Sequence, residues 1–141
     1  MNHNLKPIGF IGIGLMGNCL VKRLLVKEYT INIHDKNRNN MEDLVGKRNI
    51  FLSESPAKLS QHCDIIFICV DKTENVKDIV FREDGIIKNA SKNTIIIDLS
   101  TTLANKTINF SNKLNVERGS SWVDAPMSGG PDKALNGSLA I

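Results

Sequence analysis

The sequence predicts a doubly wound α/β domain, in which helices cover both faces of a mostly parallel sheet. Short apolar runs alternate with longer amphipathic stretches along all 141 residues, as in strand–helix–strand repeats. The runs at 64–70 and 94–99 are continuously apolar rather than alternating, which is typical of strands buried on both faces. The length fits one domain with its own core.

Six strands are predicted in order along the chain. Each is short and rich in Ile, Val or Phe, the residue types that pack well on a pleated surface. They cover residues 8–11, 30–34, 49–52, 64–70, 94–99 and 122–125.

A first helix is predicted over residues 15–27, between the first two strands. Met16, Leu20 and Leu24 lie four residues apart there and so form one apolar stripe. That stripe would pack on the sheet.

Three more helices are predicted from their termini. Ser55 is a typical N-cap, and Pro56 suits the first helical position because its missing N–H costs nothing there. Thr73 is the expected cap of the next helix. The stretch 101–119 has cap candidates in its first residues and ends at Gly119.

Composition excludes several partners and sites. The net charge is +3, without a block of Lys and Arg, so neither a nucleic-acid nor a membrane partner is expected. Glycines interrupt the apolar run 7–21, which is too short and broken to cross a bilayer. Cys19, Cys63 and Cys69 form neither a CxxC pair nor a metal-ligand pattern, so no metal is expected, and unpaired thiols suit the cytoplasm.

The stretch FIGIGLMGNCL, residues 10–20, carries the pattern G-x-G-x-x-G between a strand and a helix. Gly12 would allow the tight turn, Gly14 would let the backbone approach a pyrophosphate, and Gly17 would let the helix pack closely. The phosphates would meet the free N–H groups of the helix N-terminus. The alternative is that the glycines serve only the turn.

Asp35 ends the second predicted strand, 18 residues after Gly17 (35 − 17 = 18). A carboxylate about 20 residues on is the usual partner of the adenosine ribose hydroxyls. It would repel a 2′-phosphate and so favours NAD. The cations Lys36 and Arg38 follow directly, which leaves NADP open.

A turn of Ser128, Gly129 and Gly130 follows the sixth strand. This position is the carboxyl edge of the sheet, where open α/β folds bind ligands. One hydroxyl and unshielded backbone N–H groups could cradle a carboxylate. The segment can also be read as a plain turn before a short helix.

The motifs GFIGIGLMG and DAPMSGG…A..GSL together resemble the β-hydroxyacid dehydrogenases. This family includes 3-hydroxyisobutyrate dehydrogenase, tartronate semialdehyde reductase and, more distantly, 6-phosphogluconate dehydrogenase. CVDKTENVKDIVF and IIIDLSTT also fall where family members have matching segments. The resemblance implies a Rossmann-type NAD-binding domain and hydride transfer to or from a small 3-hydroxy acid of the 3-hydroxyisobutyrate or tartronate semialdehyde type.

The resemblance also implies site residues. Ser128, Gly129 and Gly130 would hold the substrate carboxylate, and Asp71 is a departure because many members have Pro there. Residues expected to contact the cofactor are Ile11, Gly12, Ile13, Gly14, Leu15, Met16, Gly17, Asp35, Lys36, Val70, Asp71 and Thr101.

The family's catalytic lysine, in a G-x-G-x-x-x-K-x-x-x-N segment, has no counterpart in these 141 residues. No catalytic residue is therefore assigned to this chain. We expect residues 1–141 to be one dinucleotide-binding domain that ends inside a strand, without the family's all-helical C-terminal domain, and to be inactive alone. The apolar end at SLAI could pair with a second copy. The alternative function is a non-catalytic NAD(H)-binding module.

Overall fold

The computed structural model describes residues 6–141, and six strands in that range form one sheet in the order β3-β2-β1-β4-β5-β6. Every neighbouring pair is parallel. The strand order reverses direction between β1 and β4, which creates a topological switch point. The predicted doubly wound, Rossmann-type fold is confirmed. The strands are β1 (Ile8–Ile11), β2 (Ile31–His34), β3 (Ile50–Leu52), β4 (Ile65–Ile68), β5 (Ile95–Asp98) and β6 (Ser121–Asp124).

In the described part of the chain, residues 6–141, five α-helices connect or follow the strands. The sequence did not predict the two short 3-10 helices, Arg38–Met41 and Ile86–Lys88, because such single turns carry no periodicity. Within residues 6–141, no helix is both long and apolar enough to cross a membrane. The α-helices are α1 (Leu15–Val26), α2 (Pro56–His62), α3 (Thr73–Phe81), α4 (Ala104–Arg118) and α5 (Pro131–Asn136).

The sheet separates two apolar cores. Ile11, Ile66 and Ile68 point to one face and pack with residues of α2, α3 and α4. Phe10 and Phe67 point to the other face, where their rings stack at 5.7 Å between centroids. Successive strand residues face opposite sides, so a strand covered by helices on both sides must be apolar at every position.

The predicted helix ends are partly correct. Ser55 caps α2 by accepting a hydrogen bond from the Lys58 N–H, and Gly119 ends α4 in the left-handed conformation. The prediction for Thr73 was wrong, because Lys72 is the cap residue and the Thr73 hydroxyl accepts from the Leu103 N–H instead. The Thr73 hydroxyl therefore joins α3 to the loop before α4 instead of capping its own helix.

Candidate functional site

The glycine loop between β1 and α1 is shaped by two close approaches. Gly12 has φ +94°, and a Cβ there would overlap the Cys69 carbonyl oxygen and lie 2.8 Å from Val70 Cγ1. A Cβ on Gly17 would overlap the Gly12 carbonyl. Only glycine fits both positions. The turn and packing roles predicted for these two residues are confirmed.

Gly14 is glycine for a different reason. Its φ is −66°, which any residue adopts, and a Cβ there would meet nothing within 4 Å. Among residues 6–141 no side chain caps α1, and the first turn of α1 carries no acidic residue. The start of α1 is therefore open at Gly14 and lacks a side-chain cap, and such a helix N-terminus, with its unpaired N–H groups and positive dipole end, suits a phosphate.

Asp35 is held against this loop. Its Oδ2 accepts a hydrogen bond from the Ile13 N–H at 2.7 Å, and its Oδ1 accepts from the Asn37 N–H at 2.8 Å. A carboxylate offers about four acceptor sites, so lone pairs remain for ribose hydroxyls. Lys36 is exposed, and neither it nor Arg38 forms a salt bridge within residues 6–141.

The loops after β4 and β5 complete the same edge. The Val70 N–H donates to Ser100 Oγ at 3.0 Å, which places the exposed Thr101 next to the Val70 loop. The Asp71 carboxylate accepts from the Asn75 amide at 2.7 Å and so holds the start of α3. The glycine loop, Asp35, Val70 and Thr101 thus share the carboxyl edge of the sheet.

Asp98 is a residue that the sequence analysis missed. It is fully buried at the end of β5, where its Oδ1 accepts from the Ser100 N–H at 3.0 Å and its Oδ2 from the Thr102 hydroxyl at 2.8 Å. Burial raises the pKa of Asp98, while the hydrogen bonds from Thr102 and Ser100 oppose that rise and the charge of Asp124 adds to it. The sequence does contain a sign of this residue, because an aspartate at the end of the otherwise apolar strand β5 is unusual.

The Ser128 turn lies at the same carboxyl edge of the sheet, but its main chain pairs with Ala140 near the end of the chain. Ser128 and Ala140 form an antiparallel bridge through both main-chain groups, at 2.8 and 3.1 Å. No hydrogen bond among residues 6–141 uses the N–H of Gly129 or Gly130. Met127 packs in the apolar core that contains Ile13, so the chain returns from β6 towards the glycine loop.

These residues fit a dinucleotide. The open space above Gly14, the uncapped start of α1 and the Asp35 carboxylate are the three features that a pyrophosphate and a ribose require. Residues 11–17 and Asp35 would hold the adenosine half. The loops of Val70 and Thr101 lie on the same edge of the sheet, on the far side of the switch point.

Comparison with known proteins identifies the family. Residues 7–141 match the NAD binding domain of 6-phosphogluconate dehydrogenase. Human cytokine-like nuclear factor N-PAC is 32% identical over 136 residues, covering 96% of this chain and 24% of that protein. The probable mitochondrial 3-hydroxyisobutyrate dehydrogenase-like 3 of Arabidopsis thaliana is 27% identical over 137 residues, covering 95% and 42%.

A solved structure, Psf3 in complex with NADP⁺ and 2-OPP, superposes with a TM-score of 0.85 at 27% identity and covers 94% of this chain and 46% of that one. The chain therefore spans between about a quarter and a half of the length of the proteins that it matches. The predicted family and the predicted NAD or NADP cofactor are confirmed. The chain belongs to the family of the NAD binding domain of 6-phosphogluconate dehydrogenase, and its relatives include a 3-hydroxyisobutyrate dehydrogenase-like protein.

Proposed function

We propose that this chain is the cofactor-binding part of a dehydrogenase that acts on a small 3-hydroxy acid. One observation carries the cofactor-binding part of the proposal: Gly14 leaves open space over the uncapped start of α1, with the Asp35 carboxylate fixed beside it. The substrate class is taken from the similarity to the 3-hydroxyisobutyrate dehydrogenase-like relative. A turn that only reversed the chain would not need glycine at position 14, because its backbone is in an ordinary conformation.

Each group of the chain has a role in this proposal. The first-turn N–H groups of α1 bind the pyrophosphate, and Asp35 accepts hydrogen bonds from the adenosine ribose. The Ser128 hydroxyl and the N–H groups of Gly129 and Gly130 bind the substrate carboxylate. When bound, the nicotinamide supplies the hydride acceptor or donor.

The proton of the substrate hydroxyl needs a general base that these 141 residues do not supply at the family's position. A positioned acid or base contributes about 10²- to 10⁴-fold to such a reaction. We therefore expect residues 1–141 alone to bind the cofactor and to show little turnover. A reading frame that continues past Ile141 into a G-x-G-x-x-x-K segment would supply that base.

A second candidate is a non-catalytic NAD(H)-binding module. The match to N-PAC favours it, because that protein is named as a nuclear factor and this chain corresponds to only 24% of its length. A stop codon near position 142, together with retained NADH binding, would support this candidate over the first.

The proposal is tested with Gly14→Ala, which adds a methyl group in the space expected for the pyrophosphate. Binding of NADH and of ADP-ribose is measured by calorimetry. We expect at least about a tenfold loss of affinity for both ligands, equivalent to about 1.4 kcal/mol. Gly130→Ala is the matched control, since it also adds a methyl group at an open helix N-cap, and it should leave ADP-ribose affinity unchanged. Full affinity in Gly14→Ala would refute the proposed site.

A further inference from the structure

We propose that Asp98 is a positioning residue: it fixes the two loops after β4 and β5 in the arrangement that receives the nicotinamide half of the cofactor. This inference rests on the proposed function. The support is a connected set of hydrogen bonds that begins at the Asp98 carboxylate and ends at the backbone beside the glycine loop.

The Asp98 carboxylate makes both of its side-chain hydrogen bonds to the loop that follows it. Its Oδ1 accepts from the Ser100 N–H at 3.0 Å and its Oδ2 from the Thr102 hydroxyl at 2.8 Å. Thr101 lies between these two anchors and is exposed, whereas Ser100 is buried. The turn therefore presents Thr101 outward and is fixed on either side of it.

The same turn is connected to the loop after β4. Ser100 Oγ accepts from the Val70 N–H at 3.0 Å, and Val70 Cγ1 lies 2.8 Å from the position that a Cβ on Gly12 would take. At the other end of the turn, the Leu103 N–H donates to the Thr73 hydroxyl at 3.2 Å. Movement of the Asp98 carboxylate would thus reach Val70 through Ser100.

Burial of this carboxylate has a cost that the fold alone does not explain. Asp98 is completely buried, on the sheet face where Ile96 packs into the apolar core. Removing an ionised group from water is unfavourable unless its hydrogen bonds compensate, and a well-packed apolar residue of similar size is often equally stable. The need to hold the loops after β4 and β5 in one arrangement explains why an aspartate is found at position 98.

The test compares two ligands that share the adenosine half. NADH and ADP-ribose are titrated into the 141-residue chain and into Asp98→Asn, which keeps the size of the side chain but removes its charge and replaces one acceptor oxygen by an NH2 donor, so that the hydrogen bond with Thr102 must reverse its direction. We expect the affinity for NADH relative to ADP-ribose to fall by about tenfold in Asp98→Asn, as for a lost nicotinamide contact of about 1.4 kcal/mol. The fluorescence of bound NADH should shift towards that of free NADH.

Two further variants keep the test decisive. Ser60→Ala removes a different buried hydroxyl, which donates to the Ala57 carbonyl at 2.9 Å. Even if this variant is less stable, its affinity for NADH relative to ADP-ribose should be the same as in the wild type. Thr102→Val removes one donor to Asp98 and should give a smaller change of the same sign. If Asp98→Asn does not fold, Thr102→Val decides the question.

The outcomes separate this inference from the proposed function. An unchanged ratio in Asp98→Asn and Thr102→Val would overturn the inference while leaving cofactor binding intact. Equal wild-type affinities for NADH and ADP-ribose would also overturn it, because the two loops would then add nothing. Failure of the wild-type chain to bind either ligand would refute the proposed function and the inference with it.

Discussion

Substitution of Gly12 by alanine should lower the stability of the domain far more than the same substitution of Gly14. Gly12 has φ +94°, and its new Cβ would overlap the Cys69 carbonyl oxygen. A left-handed backbone costs a residue with a side chain about 1–2 kcal/mol. Forcing an extra carbon into a packed contact costs about 1–3 kcal/mol more. The expected loss is therefore about 2–5 kcal/mol.

The assay is urea unfolding followed by circular dichroism, with thermal unfolding as a second measurement. For a domain of this size, each kcal/mol lowers Tm by about 3–4 °C, so Gly12→Ala should lower it by roughly 6–20 °C. Gly14→Ala is the control. Its φ is −66° and its Cβ would meet no atom within 4 Å, so it should cost less than about 1 kcal/mol. Equal losses in the two variants would refute the reasoning.

Three further predictions concern charge and reactivity. Asp35→Asn should raise the affinity for NADPH relative to NADH by about tenfold in calorimetric titrations, because a charge that repels the 2′-phosphate is removed; an unchanged ratio would contradict the role of Asp35. Burial raises the pKa of Cys63 to about 12 and that of Cys69 to about 11, so iodoacetamide should alkylate both thiols only after unfolding. Burial also raises the pKa of Asp98 above 3.8, so its contribution to stability should be full below that pH and decline as the pH rises through the folded-state pKa. Urea midpoints measured between about pH 4 and about pH 7 should fall more, or rise less, in the wild type than in Asp98→Asn, because only the difference between the two proteins isolates Asp98.

The sheet and the glycine loop could be predicted because their causes are local in the sequence. Strands covered on both faces are apolar at successive positions, as in 66–68, where Ile66 and Ile68 are fully buried on one face and Phe67 packs on the other, and a tight turn at Gly12 must lack a side chain. Both requirements are visible as patterns of residue type. The place of Asp35 in the fold could also be predicted, because Asp35 comes directly after the apolar strand β2 and the carboxyl ends of parallel strands lie at one edge of the sheet.

The hydrogen bonds between the loops could not be predicted, because they join residues far apart in sequence. Ser100 meets Val70 across 30 positions, and Thr73 meets Leu103 across the same separation. Thr73 has the sequence features of a helix cap, and only the tertiary structure shows that Leu103 uses its hydroxyl. The bridge between Ser128 and Ala140 is likewise a product of the return path of the chain.

The most direct test of the central claim is a titration of the ¹⁵N-labelled chain with NADH, followed by amide chemical shifts. Binding at the proposed site predicts that the largest shifts fall on Gly12, Gly14 and their neighbours in residues 11–17, with a second group at Val70 and Thr101. A contrasting surface lies between α4 and β6, where residues that include Asn115 and Trp122 line a groove of about 590 Å³. Shifts confined to that groove, or none at saturating NADH, would contradict the account.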